Sequence, residues 1–348
     1  MHADLPRVLN ELPPAIPREE ADQSTSAQGP KKKTGLWVYM IQLSTLWGKV
    51  RTYAEQWAQR NDKMPPPWSI ESEYAVIGAH LMDLETKLPA RHRFDLARFP
   101  DQDSQHLQSN REYWGPWLYI QFTYHAIHSM LNHPFLYSSR PQQSAQLGVP
   151  NTFWKTSTEL AFIHSTWIAR LVDLVKSKEY RVSDPFIGHC TAIAATIHIY
   201  FCRAADRSTR GAAQERLSGC LAFLEELALL WPSSRWLHGR LQLLVHSAFA
   251  ADQSQGRVGA EKQQITPKTI SINNRLMWDI LLNNFAAHRG TSTLPHAGGL
   301  FDEGSFSPPD NMDEEEDIVD MDNFHLPNVE VRIPSYGTVN PSFEDASS

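Results

Sequence analysis

Large apolar residues recur along much of this chain at alternating steps of three and four, the period of one face of an α-helix. In residues 73–88, Tyr74, Ile77, Leu81, Leu84 and Leu88 keep that spacing throughout. A longer stripe joins Tyr113, Trp117, Ile120, Tyr124, Ile127 and Leu131, predicting a buried central helix with Pro116 in its first turn, where a missing N–H costs nothing. The stripe stops at His133-Pro134, because proline disfavours helix at the residue before it. Phe135 and Leu136 carry the apolar surface past the helix end, which predicts a packed corner.

Similar stripes flank this centre. Leu43, Leu46, Trp47, Val50, Tyr53 and Trp57 mark a helix over 36–60. Leu160, Ile163, Trp167, Leu171 and Leu174 mark another, and Asp184-Pro185 opens one in which Phe186, Cys190, Ile193, Ile197 and Phe201 share a face. Leu217, Leu221, Leu224, Ala228 and Trp231 form a further stripe, stopped by Pro232. Residues 236–249 read as a short helix and 270–285 as a weaker last one. Polar stretches at 61–67, 90–109, 137–151, 206–211 and 250–267 read as loops. No alternating strand stands out in the body. The expected fold is all-α: an irregular multi-helix bundle of seven or eight helices without a solenoid repeat, with disordered N- and C-terminal segments. Residues 1–35 form a proline-rich flexible lead-in, 36–290 the helical body and 291–348 a disordered acidic tail.

Composition adds detail to this picture. With 348 residues, 41% of them hydrophobic and including 11 Trp, 15 Phe and 10 Tyr, a sizeable core is available. The formal charge of −7 is unevenly placed: Gly290 to Ser348 holds thirteen acidic residues against Arg332 alone, so the remainder carries about +5. Cys190, Cys202 and Cys220 sit singly in apolar helical stretches, which predicts buried reduced thiols in an intracellular protein. No signal peptide and no membrane-spanning run is expected. Lys31-Lys32-Lys33 reads as either a nuclear-import fragment or a solvated charge run.

Candidate chemistry is sparse. His125 and His128 are three apart and His133 lies at the helix end, but no Asp, Glu or Cys lies between Trp114 and Leu136 to complete a zinc site. Packing and capping are the expected roles, with a metal-dependent enzyme as the minor alternative. His92, His106, His189, His198 and His238 are scattered. Phosphate-binding glycine loops, a GxSxG elbow and HExxH are absent. Glu225 and Glu226 are adjacent on a helix and point about 100° apart, so they do not converge on one substrate. No catalytic, metal or DNA-binding residue and no cofactor is expected, and the chain is read as a non-enzyme. The tail says more. In residues 300–326, ten carboxylates alternate with isolated apolar groups, of which Phe301, Phe306, Ile318, Val319 and Phe324 are the expected partner contacts. Charge repulsion keeps such a segment hydrated and leaves the apolar groups to a partner's groove, the pattern of amphipathic activation segments. A merely solubilising tail is the alternative.

The body also carries a family likeness. Pro67-Trp68 leads into a helix ending Leu84-Glu85-Thr86-Lys87-Leu88-Pro89, followed by Arg91-His92-Arg93-Phe94. Tyr124 to Leu136 closes on Leu131, His133, Pro134, Phe135 and Leu136. These stretches resemble the C-terminal part of the fungal-specific transcription factor domain, the all-helical middle homology region of binuclear zinc-cluster activators, whose helix closes on a Leu-x-x-Pro-Phe-Leu element. Asp4-Leu5-Pro6 to Pro17 is similar to that family's connector, and the likeness covers roughly residues 1–250. It implies a nuclear protein controlling RNA polymerase II transcription, with co-activator or co-repressor proteins as partners and dimerisation with related factors. The family's zinc cluster needs six cysteines in two CxxC-containing halves, and this chain has three, none in that pattern. The family's early helices also have no counterpart. DNA contact is therefore expected only through a zinc-cluster module missing here. The rival expectation is a helical scaffold, or a titrating co-regulator with no DNA-binding role of its own.

Overall fold

The computed structural model describes residues 35–59, 64–138, 149–255, 269–283 and 316–320. Its helices are α1 (Leu36–Ala58), α2 (Glu73–Lys87), α3 (Phe94–Ala97), α4 (Ser104–Ser109), α5 (Arg111–Leu131), α6 (Pro134–Ser138), α7 (Asn151–Ser177), α8 (Pro185–Phe201), α9 (Arg207–Ala228), α10 (Pro232–Gln255) and α11 (Asn274–Leu282). Among the described residues the fold is all-α apart from one short antiparallel strand pair.

Side-chain caps explain five of the eleven described helix starts. Ser72, Asp103, Asp184, Asp206 and Asn273 each accept a hydrogen bond from a backbone N–H in the first turn of the helix they precede. That satisfies one of the donors a helix start leaves free and contributes about 1 kcal/mol. The cap on Asp206 corrects the loop expected over 206–211: those polar residues are the start of α9, whose first turn lies outside the apolar stripe. The long loop expected over 90–109 contains α3, α4 and two single 3-10 turns, through which Phe94, Phe99 and Leu107 enter the core. Pro116 is not in a first turn but inside α5, which begins earlier, at Arg111. The added turn lets Trp114 meet Phe99 and Trp117 edge-on.

The core forms around two helices. α5 packs on α1, α7 and α8, while α8 packs on α5, α7, α9, α10 and α11. Every residue of α8 from Ile187 to Phe201 is buried. Small residues permit that enclosure. A Cβ added to Gly188 would meet Leu227 Cδ1 at 3.1 Å and Ser234 Oγ at 3.3 Å. Burying each large apolar side chain here contributes about 1.5–3 kcal/mol.

The helix expected over 270–285 is corrected to a strand followed by a helix. β1 (Thr269–Asn273) alternates polar and apolar residues, with Ile270 and Ile272 fully buried, and α11 follows it. β1 pairs antiparallel with β2 (Glu316–Asp320), Thr269 opposite Asp320 and Asn273 opposite Glu316. β2 lies within the tail expected to be disordered. The rest of that tail lies outside the described residues, as do residues 1–34 of the lead-in.

Candidate functional site

The His-Pro-Phe-Leu corner after α5 is where several helices are fastened together. The Phe135 N–H donates to His133 Nδ1 at 3.2 Å, so that nitrogen is an acceptor. His133 Nε2 then carries the proton and donates to Thr196 Oγ1 on α8 at 2.9 Å, whose hydroxyl donates to the Ile193 carbonyl at 2.6 Å. Leu131, His133, Pro134, Phe135 and Leu136 are all buried. Phe135 meets Trp278 of α11 edge-on at 5.0 Å. The Tyr137 hydroxyl donates to the Leu131 carbonyl and accepts from Tyr53 of α1. One short motif thus joins α5 to α1, α8 and α11. None of these groups is open to solvent.

A second cluster lies one to two turns earlier on α5. His125 Nδ1 and His164 Nδ1, on facing helices, are 2.9 Å apart, so one donates and the other accepts. The rings of His128 and His164 stack at 4.1 Å, and His125 lies flat on Trp167 at 5.5 Å. Tyr124 meets all three imidazoles edge-on and donates its hydroxyl to Glu85 Oε1 of α2 at 2.8 Å. Burial, with His128 nearby, holds His125 down to about 3; burial holds His128 at about 4 and His164 well below the usual imidazole value. The Glu85 carboxyl is raised by burial against the opposing pull of Tyr124 and Arg93. At neutral pH the three imidazoles are therefore uncharged and act as flat, polarisable packing pieces. Among the described residues, no group of three or more His, Cys, Asp or Glu side chains is arranged to hold a metal ion.

The sequence reading missed His164 as a member of this cluster. Its signal was a histidine on the apolar face of α7, three residues after Ala161 and four before Ile168, both fully buried. Buried Gln121, one turn before His125, was also missed; neither of its amide atoms has a partner among the described residues. Of the scattered histidines, His189 hydrogen-bonds the Ile280 and Leu281 carbonyls of α11, and His92 meets the Tyr113 hydroxyl. The three cysteines are buried and free, and burial pushes the Cys202 and Cys220 thiols up to about 12. No described helix is long and apolar enough to cross a membrane.

Of the expected tail contacts, Ile318 and Val319 lie in β2, opposite Ser271 and Ile270. Phe301, Phe306 and Phe324 lie outside the described residues.

Over 236 residues, 67% of its length, the chain is 25% identical to the Zn(2)-C6 fungal-type transcription factor FTF1a of Fusarium oxysporum f. sp. lycopersici. The chain is homologous to Zn(2)-C6 fungal-type transcription factors. Two further relatives from the same organism are the factors FTF2, 24% identical over 60% of the chain, and FTF1c, 23% identical over 67%. The homologous stretch amounts to 18–24% of these curated relatives' own length. No family model matches the chain, and no solved structure matches it.

Proposed function

We propose that this chain is the regulatory part of a fungal transcription factor, acting in the nucleus on RNA polymerase II transcription through protein contacts. The observation that carries this reading is the homology of about two thirds of the chain to proteins named as Zn(2)-C6 transcription factors. The helical body is the rigid part, fastened by the His133–Leu136 corner. The tail is the contact part: Phe301, Phe306, Ile318, Val319 and Phe324 enter grooves of co-activator or co-repressor proteins while the carboxylates keep the segment soluble. Coupled folding and binding of that kind gives modest affinity and fast exchange. DNA is reached through a zinc-cluster module on a longer product or on a dimerised relative.

Residues 300–326 fused to a heterologous DNA-binding domain should raise transcription of a reporter. Replacing the five apolar contacts with Ala, with every carboxylate kept, should return it to background. Equal output from the Ala version would show that charge alone acts and would remove the contact residues from the account.

A further inference from the structure

The first turns of α1 carry an apolar face that the described residues leave open. Trp37 is 59% exposed, Val38 42% and Ile41 59%. At 3.6 residues per turn, Trp37, Val38, Ile41, Thr45, Gly48 and Thr52 fall within about 100° of arc, so they form one stripe, and none of them is charged. Thr45 Oγ1 donates to the Ile41 carbonyl at 3.0 Å and Thr52 Oγ1 to the Gly48 carbonyl at 3.2 Å, so both hydroxyls are satisfied within the helix. Gly48 has no packing reason among the described residues, because a Cβ added there meets nothing within 4 Å. Glycine is a poor helix former, and its place on this stripe fits a neighbour that comes close to the backbone.

The sequence just upstream holds a stripe to match. The described residues begin at Gly35, with 34 residues before it. Among these, Leu5, Val8, Leu9 and Leu12 are spaced three, one and three, which places them on one face of a short helix. Arg7, Asn10 and Glu11 fall on the other side. Asp4 stands where an N-cap would, Pro6 suits a first turn, and Pro13-Pro14 would end the helix. Two turns of helix do not hold alone in water, so such a segment needs a surface. The 22 residues from Pro13 to Thr34 span about 26 Å as a flexible chain, and more where prolines stiffen it. The stripe from Trp37 to Gly48 is about 17 Å long, so the tether reaches all of it. Tethering also sets an effective concentration on the order of millimolar, at which a small apolar contact suffices.

We propose that residues 5–12 dock on the open face of α1 as a short amphipathic helix, with Leu5, Val8, Leu9 and Leu12 covering Trp37, Val38 and Ile41 and the segment lying close to Gly48. The lead-in is then a strap on the helical body. This docking does not depend on the reading of the chain as a transcription regulator.

Amide hydrogen exchange on the full chain tests it. Deleting residues 2–12 should quicken exchange over 36–48 by about tenfold, with α5 and α8 unchanged. Leu9→Glu and Ile41→Glu should each do the same, and the double variant should go no further, because both break one contact. A peptide of residues 1–14, added at millimolar concentration to the shortened chain, should restore the protection, and its Leu9→Glu form should not. Unchanged exchange on deletion, additive effects of the two variants, or no rescue by the peptide would overturn the docking. Faster exchange in α5 and α8 as well would make the segment a support of the whole body and overturn a local strap. Protection that rises with protein concentration, together with a dimer in sedimentation, would give the face to a second copy and also overturn the proposal.

Discussion

His133 shows how one side chain can be legible in sequence and still hide its work. Its place before Pro134 marked the end of the stripe, and the packed corner follows from Phe135 and Leu136. Its bond to Thr196, across 63 residues, belongs to tertiary structure and leaves no local trace. The same limit hid His164, because a polar residue on an apolar stripe weakens the pattern without naming its partner. Phe135→Ala should cost about 3–5 kcal/mol of stability, seen as a lower urea midpoint, because a fully buried ring packed on Trp278 of α11 would leave a void. A loss under about 1 kcal/mol would mean that the corner relaxes and does not fasten the helices. The histidines also give the protein a pH signature. Burial pushes His92, His128 and His189 down to about 4 and His125, His133 and His198 to about 3, with His164 also well lowered. Above about pH 7 these groups are neutral folded and unfolded, and they contribute no pH dependence. As pH falls through about 6.5, the unfolded chain takes up protons that the folded chain refuses, so stability drops and keeps dropping to about pH 4. Thermal unfolding at pH 7.5, 6 and 5 should show a steep, progressive fall in Tm. A Tm flat across that range would mean that the imidazoles are protonated in place.

At the scale of elements, the three-four stripes located the long helices, and side-chain caps explained the starts of α2, α8 and α9 among them. Errors fell where periodicity is silent. α9 begins with polar residues on a solvent face, so its first turns looked like a break. α3 and α4 are too short to show a period. β1 alternates over only five residues, and the apolar residues of α11 directly behind it drew the reading towards one longer helix. α8 carried a different signal: a run apolar all round, mixed with Gly and Ala, which marks a helix enclosed on every side. Gly188→Ala tests that enclosure. On an exposed helix the change stabilises by about 1 kcal/mol. Here the new methyl would press on Leu227 and Ser234, and overpacking of about 1–3 kcal/mol should outweigh the gain. A raised Tm for this variant would show that α9 and α10 yield where they cross α8.

At the scale of the whole molecule, the sequence separates a faintly basic helical body from a strongly acidic tail, and the structure joins them through β1 and β2. That join was illegible because its partners are more than forty residues apart and its tail strand is acidic, a composition that argues against sheet. The all-α body was legible because buried helices repeat their signal many times over. The proposed function came from another source: the His-Pro-Phe-Leu corner and its helix resemble one family, and the homology runs to transcription factors. The most direct measurement is to tether the whole chain to a promoter through a heterologous DNA-binding domain in fungal cells and to compare reporter transcription with that of the DNA-binding domain alone. The account predicts a clear change in transcription that is lost when residues 300–326 are removed. Transcription equal to that of the DNA-binding domain alone, from a chain shown to be folded and nuclear, would contradict it.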